Sequence, residues 1–302
     1  MLKNTLLKRK LNKTNPVYVV LFTILTVYTL VMFLVLFWAV ITSLKHQIDF
    51  RTNVLGLPRE EFGGIAFENF SIVFSKFQTI VLSGGKQKYV DFYQMFVNTM
   101  LYAGVGGLIS AFVPCIVAYV TAKFNYKLNG IIYGIVIVAM VLPIVGSAPS
   151  EMLILKQLGL YNTMYGNWIQ KLHFLGMYFL VYYAAYQTFP NSYLEAAYID
   201  GASEARVYFN VVFPLIKNTF FTVLIIKFIE LWNDYQTPIL YIPGYPTLAV
   251  GLFNMGNSTV GEMSWVPRKI AACIILLMPV LTLFVIFRNK LMGNLTMGGI
   301  KE

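Results

Sequence analysis

The chain has 302 residues, of which 58% are hydrophobic and only 12% are charged. A water-soluble chain carries roughly 25% charged residues, so 13 Asp and Glu cannot coat a globule of this size, and the composition points to an integral membrane protein. The formal net charge of +10 is spread over segments between apolar runs, which excludes a nucleic-acid stripe and suits basic flanks on membrane spans.

Crossing a bilayer takes roughly 20 apolar residues. In chain order, spans are expected at about 17–43, 98–123, 130–147, 174–189, 219–242 and 270–287. Residues 1–16 form a cytoplasmic N-terminal segment, because they hold five Lys or Arg and no acid. Span 17–43 is too long for a signal-peptide core and is read as a retained helix. Residues 44–97 then form an extracytoplasmic loop, 98–289 a core of five spans, and 290–302 a cytoplasmic tail. Cys115 and Cys273 lie inside apolar runs far from either histidine, so neither a disulfide framework nor a metal site is expected.

One cytoplasmic segment, 190–217, is charged and punctuated: "YLEAAYIDGASEARVYFNVVFPL" covers 193–215. Pro190 breaks the preceding span, Ser192 and Glu195 fit a capping box, and Gly201 fits the left-handed position that ends a helix. Ser203 can cap a second short helix that Pro214 closes. Tyr193, Ala196, Ala197 and Asp200 share one face of the first helix. Two alanines there let another surface approach closely, and the polar groups can set register. A plain capped connector that merely turns the chain has the same local pattern.

Span five carries Lys227, Glu230 and Asp234 on one face. Facing lipid, each charge would cost roughly 2.5–3.5 kcal/mol at the bilayer centre, so they must face protein or water. They either line a translocation pathway or form a structural ion pair at a subunit interface. Trp232, Asn233, Tyr235 and Gln236 add the aromatic faces and amides that sugar sites use, although interface belts also collect Trp and Tyr. Gly130 with Gly134, and Gly104 with Gly106 and Gly107, are candidate helix-packing positions. "LSGGKQ" at 82–87 imitates an ATPase signature, but no Walker A sequence accompanies it and it lies in the external loop.

The residues Glu195-Ala196-Ala197, Asp200-Gly201-Ala202 and Pro214-Leu215 resemble the EAA loop of binding-protein-dependent ABC importer permeases. Asn218 stands where that family often has a second proline. Segments 158–163 (LGLYNT), 232–238 (WNDYQTP), 245–252 (YPTLAVGL) and the Gly-rich tail are similar to the carbohydrate-uptake, maltose-type branch. The resemblance implies an all-α membrane fold of type I importer permeases, with six transmembrane helices and a cytoplasmic helix–Gly–helix coupling elbow.

It also implies that Tyr193, Glu195, Ala196, Ala197, Asp200 and Gly201 dock on an ATPase. The partners implied are a second homologous permease, two cytoplasmic ATPase subunits, an extracytoplasmic solute-binding protein, the lipid bilayer and a sugar substrate. No cofactor is implied in this chain, since ATP and Mg belong to the ATPase. The expected location is a bacterial inner membrane, with both termini cytoplasmic. The alternative is a cation-coupled secondary transporter that uses Glu230 and Asp234. An intramembrane hydrolase is set aside because no nucleophile–base pair is in sight.

Overall fold

A computed structural model of the chain describes residues 16–83, 85–142, 146–259 and 261–295. The basic run at 3–13 and the last seven residues of the Gly-rich tail lie outside the described residues. The chain divides into two compact units. One takes the residues up to Ser71 together with Trp265–Ile274, and the other takes Ile72–Ser264 together with the residues from Ile275 on.

In the first unit, α1 (Pro16–Ser43) is a 28-residue helix whose apolar side chains point outward all round. An all-apolar, unburied helix has lipid as its natural solvent. After it come α2 (Gln47–Thr52), a 3₁₀ turn (Glu60–Phe62) and the start of α3 (Glu68–Lys76). Buried polar groups tie these pieces together. Asn69 donates to the carbonyls of Ser43 and Lys45, each at 2.9 Å. Asp49, 1% exposed, accepts from the Arg59 backbone N–H and from Nε at 2.8 Å. Burial alone would push the Asp49 carboxyl up, but the Arg59 hydrogen bonds and the Arg59 and Lys45 charges hold it below the usual carboxylate range.

The second unit opens with the antiparallel pair β1 (Gln78–Ser83) and β2 (Lys86–Asp91), in which Leu82 faces Gln87 across the turn. The all-α expectation is therefore corrected by one hairpin, and the LSGGKQ sequence is its tip. Asp91 accepts from Gln94 N–H at 2.8 Å and starts α4, which runs without a break over Phe92–Lys123. Next come α5 (Asn129–Val141), α6 (Ala148–Gln157), α7 (Met164–Gln170) and α8 (Met177–Gln187). The series ends with α9 (Ser192–Ile199), α10 (Glu204–Asn233), α11 (Gln236–Tyr241), α12 (Leu248–Asn257), a 3₁₀ turn (Glu262–Ser264) and α13 (Val266–Leu295).

Among the described residues, α1, α4, α10 and α13 are long and apolar enough to cross a membrane. The other two expected spans come out shorter. The 13 residues of α5 and the 11 of α8 reach roughly 20 and 17 Å, against a hydrocarbon layer of about 30 Å. The segment ahead of α8 does not extend it, because Gly176 takes φ 137 and interrupts the helix.

The core of this unit lies where α8 and α10 pack on α4. Ala111, Cys115 and Ala118 form a small-residue stripe on α4, wholly buried, that leaves room for Tyr182, Tyr186 and Tyr208. Cys115 Sγ lies 3.2 Å from the Tyr186 hydroxyl. A Cβ on Gly107 would stand 3.4 Å from the Phe228 backbone, so α4 and α10 approach closely at this glycine. Among the described residues no atom lies within 4 Å of where a Cβ on Gly104, Gly130 or Gly134 would stand.

Candidate functional site

The elbow is built locally. The last carbonyls of α9 need partners, and the chain supplies them by reversing hand at Gly201, which takes φ 75. Gly201 N–H then donates to Tyr198 O and Ala202 N–H to Ala197 O, each at 3.0 Å, which is the Schellman pattern. Tyr198 Oη donates to Glu204 Oε2 at 2.6 Å and bridges the two arms. Burial and this bond push the Tyr198 phenol above its ordinary range.

Three local expectations are corrected. Ser192 is the first helical residue rather than the cap. The cap position falls to Asn191, whose side chain makes no capping bond and instead accepts from Lys123 Nζ at 3.0 Å. Ser203 holds the cap backbone geometry of the second arm, but its hydroxyl makes no capping bond. Nor does Pro214 close that arm. It sits in the first turn of the regular α-helix, just after a π-helical stretch at Tyr208–Val212. The wider π turn absorbs the missing N–H and the ring, so the arm and span five are one helix.

Leu194, Val207, Tyr208 and Val212 anchor the elbow in the core, whereas Tyr193, Glu195, Ala196, Asp200 and Gly201 are exposed and Ala197 is half-buried. Ile199 is 86% exposed, a large apolar side chain at the tip. The exposed set is a small-residue face with an apolar point, carried on α9 and joined through the turn at Gly201 to the start of α10 at Glu204.

The second group lies near the other end of α10. Lys227 Nζ sits 2.7 Å from Glu230 Oε2, as expected for residues three apart. Tyr178 donates to Glu230 Oε1 at 2.7 Å, and the Lys227 ammonium stands 4.5 Å from the Tyr178 ring centroid. Asp234 does not continue the helical face. Helix α10 ends at Asn233, and Asp234 is extended, accepting from Thr237 N–H at 3.1 Å to start α11 and from Tyr102 Oη at 2.6 Å. The Lys171 ammonium lies 5.5 Å from the centroid of that same Tyr102 ring.

Trp232 is buried, and its indole N–H donates to Leu276 O at 3.1 Å. Tyr235 stacks on Phe253 with centroids 4.6 Å apart. Asn233 and Gln236 are exposed, and Asn233 Nδ2 donates to Ile229 O. Tyr102, Lys171 and Tyr178 were not singled out in the sequence. They belong to the cluster because folding brings them there from 132, 63 and 52 residues away.

Other segments of the resemblance form turns around this end. Thr163 accepts from Gly166 N–H, and Asn162, at φ 58, donates to Tyr241 O and accepts from Gly244 N–H at 2.7 Å. Thr247 caps α12, and Leu248 N–H donates to Thr99 Oγ1 at 2.9 Å.

Residues 115–292 match the family described as "Binding-protein-dependent transport system inner membrane component". The chain is 26% identical over 264 residues to the melibiose/raffinose/stachyose import permease protein MelC of Bacillus subtilis, covering 86% of this chain and 88% of the relative. It is 27% identical over 270 residues to the probable starch degradation products transport system permease protein AmyC of Thermoanaerobacterium thermosulfurigenes, covering 87% and 89%. A chain of a bacterial ABC transporter involved in import of the acidic polysaccharide alginate matches in structure. The TM-score is 0.72 at 20% identity, over 92% of this chain and 97% of that one. That likeness speaks to the fold alone.

Proposed function

The chain belongs to the family of binding-protein-dependent transport-system inner-membrane components, and on that premise we propose that it imports an oligosaccharide or related sugar. It does so as one of two permease subunits around a shared pathway, crossing the membrane six times. ATP hydrolysis takes place in two separate cytoplasmic ATPase subunits, and a solute-binding protein delivers the substrate outside. Relatives named for import of melibiose, raffinose and stachyose and of starch degradation products support the sugar assignment.

The observation that carries the coupling role is the elbow: an exposed small-residue face on α9, ended by left-handed Gly201 and followed at once by an arm that is continuous with α10. In this reading α5 and α8, with the residues flanking them, complete the set of six, and the elbow and both termini face the cytoplasm. Tyr193, Glu195, Ala196, Ala197, Asp200 and Gly201 dock in a cleft of the ATPase. Closure of the ATPase pair drags α9, and the continuous arm passes that displacement into α10. Two ligands at distant sites are thereby coupled through one element with two positions.

At the far end of α10, Asn233, Tyr235 and Gln236 offer the amides and ring face suited to a sugar, with Trp232 as the buried support behind them. Lys227, Glu230 and Asp234 form the charged wall of the pathway. Glu230 is already paired with Lys227, and both carboxylates accept from Tyr hydroxyls, so each has protein partners without an imported cation. This favours the ATP-driven reading over an ion-coupled carrier.

The test is reconstitution of the chain with its co-purifying subunits in vesicles. Labelled raffinose or maltotriose should accumulate only with the binding protein and ATP. Accumulation driven by a sodium or proton gradient without ATP would overturn the proposal.

A further inference from the structure

The turn at residues 53–58 presents exposed apolar side chains that the transport reading does not use. Its sequence, Asn53-Val54-Leu55-Gly56-Leu57-Pro58, carries no charged side chain. Leu55 is 80% exposed, Leu57 66% and Val54 45%. Two large aliphatic side chains standing in water on one short turn are unfavourable relative to burial in an apolar medium.

The turn is held against α1 rather than left to solvent. Trp38 Nε1 donates to Val54 O at 3.0 Å. Trp38 lies five residues before the end of α1, so the turn folds back about 7 Å along the helix from Ser43. The same position is roughly 33 Å from Pro16, the far edge of a hydrocarbon layer that begins near the start of α1, where indoles collect.

Several polar groups of the turn are satisfied from within. Lys45, wholly buried, donates its ammonium to Asn53 O at 2.6 Å and lies 3.4 Å from Val54 O. Asn53 Nδ2 donates to Leu57 O at 2.9 Å, and Gly56 N–H donates to Asn53 Oδ1 at 2.8 Å. Non-helical backbone at the edge of hydrocarbon costs less when its N–H and C=O groups find such partners. A turn bathed in water has no need of a buried lysine to bind its carbonyls.

We propose that residues 53–58 form a lipid anchor that inserts Leu55 and Leu57 into the leaflet reached by the Ser43 end of α1. The apolar surface of the turn continues the lipid-facing surface of α1, where Phe33 and Phe37 are 65% and 63% exposed. Exposed Arg51 stands just ahead of the apolar residues, at the level expected for headgroup phosphates. The anchor would fix the height and tilt of α1 at that interface, independently of which solute the transporter carries.

Nitroxide labels at Leu55→Cys and, separately, Leu57→Cys test this in the whole transporter reconstituted in phosphatidylcholine–phosphatidylglycerol vesicles. The background carries Cys273→Ser, since Cys115 is buried. Collision rates with dissolved oxygen and with a water-soluble nickel chelate are compared, with Glu60→Cys as the aqueous control. The proposal expects both leucine positions to favour oxygen severalfold over the control. Preference for the nickel chelate would place the turn in water and overturn it. Protection from both reagents would overturn it equally, by placing a protein partner over the turn.

Discussion

The elbow and the polar cluster beyond it sit on the same helix, α10, and both bring charge into an apolar chain. Their construction differs. The elbow takes its shape from neighbours in sequence: Tyr198, Gly201, Ala202 and Glu204 bond to one another or to residues at most six away. The cluster takes its shape from distant residues, with Tyr102 on α4 and Tyr178 on α8 reaching carboxylates on and just after α10. In the proposed mechanism the elbow is gripped by a partner, which calls for local rigidity, while the cluster lines a pathway, which calls for elements that can move relative to one another. The comparison therefore separates what is preformed from what is assembled.

The largest expected effect is at Gly201. No atom lies within 4 Å of where its Cβ would stand, so a side chain meets only the backbone cost of the left-handed region. That cost is about 1–2 kcal/mol, and more for a β-branched residue. Gly201→Val should distort the elbow and cut uptake in vesicles roughly tenfold or more, with normal amounts of chain in the membrane. Gly201→Asn, which tolerates this conformation, should stay near wild type. Glu195→Lys should uncouple ATP hydrolysis from uptake without touching the fold, and wild-type uptake in both Gly201→Val and Glu195→Lys would remove the elbow from the mechanism.

Next in size is Asp49. Breaking a buried pair costs about 3–5 kcal/mol; Arg59 is 38% exposed here, so roughly 1–3 kcal/mol is expected for Asp49→Asn. The pH dependence follows from the lowered carboxyl. Its stabilisation is complete above the unfolded Asp value of about 3.9 and is lost as pH falls through the lower folded value. Thermal melts in detergent should show an acid limb below about pH 4 that is shallower in Asp49→Asn.

Within the cluster, Tyr102→Phe strips Asp234 of one of its two donors and should cost about 1–2 kcal/mol in melting experiments. Tyr178→Phe leaves Glu230 paired with Lys227 and should cost less, about 0.5–1 kcal/mol. Equal costs would mean that the two carboxylates are not held differently. The smallest effect is expected at Ser192→Ala. An N-cap loss costs about 0.5–2 kcal/mol, but Ser192 makes no capping bond, so the change should stay within about 0.5 kcal/mol.

These contrasts follow what could be read before folding. Gly201 was legible because only one residue type takes that backbone hand cheaply. The Lys227–Glu230 pair was legible because helical spacing sets it. The capping box failed because Lys123, from another helix, claims the Asn191 side chain. Pro214 misled because a π turn, which leaves no mark in composition, lets the helix continue. Trp232 looked like a sugar platform, and only the carbonyl of Leu276 and the rings of Phe96 and Phe228 reveal how it is held.

By itself the sequence determined that this chain lives in a membrane, where its long apolar helices fall, and that a helix ends at left-handed Gly201. Those properties depend on hydrophobicity and on backbone preferences within a few residues. Which tyrosines hold which carboxylates, where α10 stops, and how the turn at 53–58 returns to Trp38 were decided only by tertiary structure. Each of those bonds joins residues whose separation along the chain imposes no geometry until the helices pack.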